Sequence, residues 1–191
     1  MNKIKLGILF LLSISLFLTL QGKEAYAHSS CKSYGESYGY WIDCKNHSGS
    51  TRIQYNTGSI SSKYASYVTG GQKKWNNTSI VLIGKTSSYS KNFIHTYTDK
   101  NSPNLAEFYN YSSNSAGHLQ KWSIKMNKTR MNKRTTAQNK TTLAHEFGHV
   151  IGLNDLKKTT SNKYLMYGYS NKKVSSPTSK DKTGAKKALG L

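Results

Sequence analysis

The chain has 191 residues, with 28 Lys and Arg against 8 Asp and Glu, a formal charge of +20. Arginine occurs only at Arg52, Arg130 and Arg134, so the positive charge is mostly hydrated lysine. That favours diffuse attraction to polyanions over base-specific reading of a nucleic acid. The carboxylates after residue 27, namely Glu36, Asp43, Asp99, Glu107, Glu146, Asp155 and Asp181, are too scattered for the clustered ligands of a calcium site.

Taken in chain order, residues 1–27 read as an export signal. Lys3 and Lys5 open it, an apolar run from Leu6 to Leu20 follows, and Ala25-Tyr26-Ala27 is a small-x-small cleavage site. The competing reading, a membrane anchor, needs a longer span. Cleavage after Ala27 leaves about 164 residues with a charge near +18, enough for one domain and one core. No later segment is apolar enough to span a bilayer, so a secreted, monomeric protein is expected. Residues 28–50 are Gly-, Ser- and Tyr-rich and read as irregular, with a short removable pro-segment as one option. Cys31 and Cys44 lie in this segment. Export permits a disulfide between them; a free cysteine capping a metal is the alternative.

Residues 51–191 form the expected domain. Arg52–Tyr55 reads as a strand. Ile60, Tyr64, Tyr67, Val68, Gly71 and Trp75 recur at helical spacing and predict a helix over Ser61–Trp75, weakened by Gly70-Gly71. Strands are predicted at Ile80–Ile83, Phe93–Thr98, Ala106–Tyr111 and Leu119–Asn127. A helix is expected to begin near Thr141 or Thr142, after a polar Lys- and Thr-rich stretch. A loop-rich region follows Asp155, and a last helix spans Ser179–Leu189 with Thr178 and Asp181 as a capping box. Strands before a central helix and a helix after it define an α+β class with a mixed sheet.

The chemistry concentrates in the central helix. His145 and His149 are four residues apart, so they share one helical face and can reach one metal ion. Glu146 sits about 100° round the helix, badly aimed as a ligand but well placed beside a metal-held water, the logic of H-E-x-x-H. Leu143, Phe147, Val150 and Ile151 cluster on the opposite face for burial. Gly148 leaves room for a neighbouring chain segment, and Gly152 can end the helix in a left-handed cap. Asp155 arrives three residues later and completes a three-ligand set with one open position, the catalytic form of a Zn2+ site. The chance-pair alternative is an ordinary amphipathic surface helix.

The stretch His145-Glu146-Phe147-Gly148-His149-Val150-Ile151-Gly152-Leu153-Asn154-Asp155 resembles the extended motif of the metzincin zinc metalloproteases. Thr142–Leu153 resembles the matrixins, and ending on Asp155 instead of His resembles the snapalysin family of small bacterial proteases. Leu165-Met166-Tyr167-Gly168-Tyr169 resembles the matrixin Met-turn, with Met166 the residue that carries over. It lacks the Pro usual after Met-Tyr, and Gly168 stands where some metzincins place a Tyr. Ile124–Asn127 is similar to the strand before the active-site helix; Asp181, Gly184, Leu189 and Gly190 are similar to the matrixin C-terminal helix. The resemblance implies a zincin-like catalytic domain. Its upper part would be a twisted sheet with two helices, and its lower part a small irregular subdomain with one helix. It also implies a protein or peptide substrate lying extended along an edge strand.

His95 and His118 read as solvated histidines or, alternatively, as ligands of a structural metal; His28 and His47 need no role. Three functions are compatible with these features. They are a secreted zinc endopeptidase with Glu146 as general base, a basic cell-surface binding module with a structural zinc, and a hydrolase drawn to anionic cell-wall polymers.

Overall fold

A computed structural model describes residues 31–191. The export signal read over 1–27, and His28, lie outside the described residues. Five strands, β1 (Arg52–Thr57), β2 (Leu82–Lys85), β3 (Phe93–Tyr97), β4 (Ala106–Ser113) and β5 (Leu119–Asn127), form one mixed sheet in the order β2-β1-β3-β5-β4. All neighbours are parallel except β4, which runs antiparallel to β5 and occupies an edge. The helices are α1 (Ser62–Asn76), α2 (Lys128–Met131), α3 (Thr136–Ile151) and α4 (Ser179–Ala188). The fold is α+β.

The alternation along each strand decides which face is covered. Ile53, Tyr55, Ile83, Ile94, Trp122, Ile124 and Met126 are buried, and α1 and α3 supply the other half of the core through Tyr64, Tyr67, Val68, Trp75, Leu143, Phe147, Val150 and Ile151. Tyr55 and Phe147 meet across this interface with ring centroids 5.8 Å apart. Fully burying one such aromatic side chain is worth roughly 1.5–3 kcal/mol.

The Gly70-Gly71 pair, costly for an isolated helix, is explained by the contact between α1 and α3. A Cβ on Gly71 would lie 2.6 Å from Leu143 Cβ and 2.7 Å from the Ala144 backbone nitrogen. The two helices therefore touch backbone to side chain, and Trp75 Nε1 donates to Ala144 O at 2.7 Å.

Three elements differ from the sequence reading. β2 begins at Leu82, not Ile80, because Ser79 takes a left-handed conformation and the Asn76 side chain clamps Ile83 N and O at 2.8 and 2.9 Å. Ile80 and Val81 are buried ahead of the strand. α3 begins at Thr136, a turn and a half before the expected start. Thr135 and Gln138 form a reciprocal capping box, and Thr141 and Thr142 satisfy their hydroxyls on the carbonyls of Ala137 and Gln138. The short α2 follows β5 directly, with Asn127 capping Thr129 N.

The N-terminal segment is tied to the C-terminal part of the chain. Cys31 and Cys44 are disulfide-bonded. Tyr40 and Ile42 are buried, and Ile42 forms an antiparallel bridge with Leu153. Gly184 of α4 lies against Tyr40 and Leu153. Beyond Gly152 the chain is irregular, with a 3-10 turn at Thr159–Lys163 and then α4, whose Thr178–Asp181 capping box is formed. No helix among the described residues is long and apolar enough to cross a membrane.

Gly71→Ala forces α1 and α3 apart. The expected cost is about 1–3 kcal/mol, read as a fall in the urea midpoint with an unchanged slope. An unchanged midpoint would contradict the close helix contact.

Candidate active site

α3 reaches the site as a helix buried on nearly all sides. Its capping box fixes the start, and Gly152, with φ +119, fixes the stop. A Cβ on Gly152 would also collide with His47. This defined stop sends the chain back so that Asp155 faces the helix it has just left.

His145, His149 and Asp155 converge, with one potential ligand atom from each lying within 4.8 Å of the others. Asp155 Oδ1 is 3.0 Å from His145 Nε2 and 3.5 Å from His149 Nε2. The other ring nitrogens are anchored from behind, His145 Nδ1 to Leu165 O at 3.0 Å and His149 Nδ1 to Leu153 O at 2.7 Å. A carbonyl oxygen can only accept, so each Nδ1 carries the proton and each neutral ring turns a lone pair towards Asp155. Lys172 Nζ also lies 3.4 Å from His145 Nδ1. The shorter carbonyl contact fixes the tautomer.

Three electron-pair donors thus point at one place. Asp155 Oδ1 is buried there without a hydrogen-bond partner. Only a proton or a cation placed among them relieves this arrangement, and two imidazoles with a carboxylate are the donor set of a zinc ion. The residues fit that metal. Protonation tells the same story. Burial raises the Asp155 pKa, but at low pH, once the rings are protonated, a hydrogen bond from His145 and the charges of His149, His145 and Lys172 outweigh it and hold the carboxyl at about 2. Burial first, then the neighbouring His145, pushes His149 below the ordinary imidazole value. Both groups therefore rest in the forms that bind metal.

The support beneath the ligands comes from the segment 165–168. Met166 is fully buried and its sulfur lies against Gly148, where any side chain would collide with it. Gly168 lies against the Asp155 carboxylate, 3.0 Å from a would-be Cβ to Cγ. A tyrosine at this position would push against the Asp155 carboxylate. Tyr167 is buried and Tyr169 exposed.

This turn is held by a residue that the sequence presented only as a helix cap. Asp181, fully buried, accepts from Leu165 N at 3.0 Å, Met166 N at 3.2 Å, Thr178 N at 2.8 Å and Thr178 Oγ1 at 2.6 Å. Its carboxylate fixes the carbonyl that orients His145.

Glu146 is buried, yet lines a cleft of about 1120 Å³ beside the ligands. Its carboxylate makes no hydrogen bond to another group among the described residues. The cleft is walled by the segment Pro103–Ala106 leading into β4, by the first half of α3, and by residues 168–175. Phe108 of β4 stacks on His149 with ring centroids 6.1 Å apart. Arg134, Lys172 and Phe108 were not singled out from sequence, because none stands at a motif spacing. Of the other histidines, His47 and His118 pack ring to ring at 4.9 Å. His95, on β3, is pushed down by burial and by Lys125.

No protein family and no curated protein matches the sequence. Among solved structures the chain is similar to High choriolytic enzyme 1, a hatching enzyme zinc-protease from Oryzias latipes (Medaka fish). Identity is 12% and the TM-score 0.47, over 85% of this chain and 100% of that one.

Two outcomes follow from this geometry. Asp181→Ala strands three backbone N–H groups and the Thr178 hydroxyl and should cost roughly 3–5 kcal/mol, with zinc affinity falling alongside; calorimetric unfolding with and without zinc reads both. Because the His149 pKa lies below its ordinary value, the ring stays neutral as pH falls through about 6.5. Zinc should therefore be retained at that pH and released only lower, when the ring protonates. Metal analysis after dialysis at stepped pH checks this; release above pH 6.5 would contradict it.

Proposed function

We propose that this chain is an exported zinc-dependent endopeptidase holding one Zn2+ ion on His145, His149 and Asp155. The observation that carries the reading is the buried, partnerless Asp155 Oδ1 facing two imidazoles that are anchored through Nδ1. Three protein ligands leave a coordination position for water and substrate, whereas structural zinc sites close with four. This difference favours catalysis over a binding module with a structural metal.

Zinc held there would supply a Lewis acid that polarises a peptide carbonyl and makes water acidic near neutral pH. The protein's own contribution is positional. Glu146, one residue along α3 from His145, accepts the proton of the attacking water at its carboxylate and returns it to the departing amine. Among the described residues the outer edge of β4 has no strand partner, so an extended peptide can add to it by backbone hydrogen bonds. Phe108 packs against His149 and restricts the ring's freedom. Met166 against Gly148 gives the helix a firm floor, as the matrixin Met-turn resemblance implies.

Glu146→Gln should keep zinc and lower kcat by about 10²–10⁴-fold. Asp155→Ala should weaken zinc binding by roughly 100-fold or more. Casein and peptide cleavage, measured beside metal content on the same samples, tests both. Zinc-replete wild type that cleaves neither would overturn the reading, and digestion of purified peptidoglycan instead would favour a wall-directed hydrolase.

A further inference from the structure

The cleft beside the ligands is lined by five cations, Lys74, Arg134, Lys140, Lys172 and Lys173, and by one carboxylate, Glu146. In a chain this basic, surface lysines alone would mean little. The distinguishing feature is that none of these cations is in direct contact with a carboxylate among the described residues. Among the described residues the side-chain nitrogens that approach a carboxylate this closely are those of His145 and His149 beside Asp155, and no cleft lysine or arginine has a carboxylate within 4.0 Å.

Arg134 shows this most clearly. It immediately precedes the Thr135 cap of α3, and its Nε is buried without a hydrogen-bond partner. A buried N–H left unpaired is costly, and the planar guanidinium fork that carries it matches a carboxylate. Lys172 stands on the opposite wall, with Nζ 3.4 Å from His145 Nδ1, and it is close enough to Arg134 to feel its charge. Lys74 and Lys140 likewise repel each other further along the cleft. An anionic side chain entering between Arg134 and Lys172 would relieve their repulsion and pair the stranded guanidinium. Its backbone would then lie beside the metal ligands.

We propose that the cleft selects peptides bearing an aspartate or glutamate adjoining the bond to be cut. Arg134 and Lys172 receive that carboxylate, and Lys74, Lys140 and Lys173 extend the preference to acidic neighbours. This specificity rests on the endopeptidase reading.

The test uses the zinc-loaded full chain and matched peptides in which each position near the cut carries Glu, Gln, Leu or Lys in turn. At one position adjoining the cut, kcat/KM for Glu should exceed that for Gln by roughly 10- to 100-fold, the size expected for a charge-assisted hydrogen bond. The ratio should shrink in high salt. Arg134→Gln and Lys172→Met should each bring it towards one, Arg134→Lys should partly restore it, and Arg134→Glu should turn the preference towards Lys. A wild-type ratio near one, or a preference for Leu, overturns the proposal without any variant having to fold.

A second arm measures binding of fluorescent Glu and Gln peptides to the zinc-loaded Glu146→Gln protein by anisotropy. Acid-selective binding with no cleavage by wild type would sink the protease reading and leave the acidic receptor standing. Cleavage without acid selectivity in either arm would sink the receptor alone.

Discussion

Two backbone carbonyls govern this molecule. Leu165 O and Leu153 O each hold the Nδ1 of a histidine, and thereby decide that the Nε2 lone pairs face Asp155. Helical spacing alone brings two imidazoles to one side of α3; it does not orient them. Orientation requires the chain after Gly152 to fold back under the helix and stay there. Most of the architecture beyond residue 152 serves that end. Leu156 N donates to Met166 O at 2.8 Å, Gly168 N donates to Leu156 O at 2.9 Å, and Asp181 clamps the nitrogens of Leu165 and Met166. The aromatic and aliphatic core above α3 sets the helix in place, and this hydrogen-bonded underside sets its side chains.

Small residues make the arrangement possible. Gly71 lets α1 approach α3, Gly148 admits the Met166 sulfur, and Gly168 leaves room for Asp155. At each, the next smallest side chain would meet another atom. The cost of glycine in helices is about 1 kcal/mol relative to alanine, and at positions 71 and 148 it is offset by packing that alanine would disrupt. At Gly168 a side chain would press on the Asp155 carboxylate, 3.0 Å from a would-be Cβ to Cγ.

Much of this was legible in the sequence where a periodicity or a fixed spacing carried it. The helix over 61–75, the five strands and the capping box of the last helix all rest on local patterns, and His145, His149 and Asp155 rest on a four-residue and a six-residue interval. What escaped was non-local or masked by polarity. The first turn and a half of α3 looked like loop because Thr136–Lys140 is polar, although Thr135 and Gln138 already had capping-box spacing. The apolar run at Ile80 overstated β2, because burial and strand pairing are separate conditions. The roles of Asp181 and Arg134 depend on segments far away in sequence, and no periodicity signals that.

The bridge between Ile42 and Leu153 has a consequence in time. It joins positions separated by more than half the chain, and the Asp181 clamp lies later still. Contacts of such long range close late, since their loop entropy must be overcome before they contribute stability. A chain emerging from synthesis would carry both histidines before it carried the carboxylate that fixes Leu165, and so before His145 was oriented. On the endopeptidase reading, the site would mature only with the whole domain, and partially made chains would have little capacity to cut their neighbours.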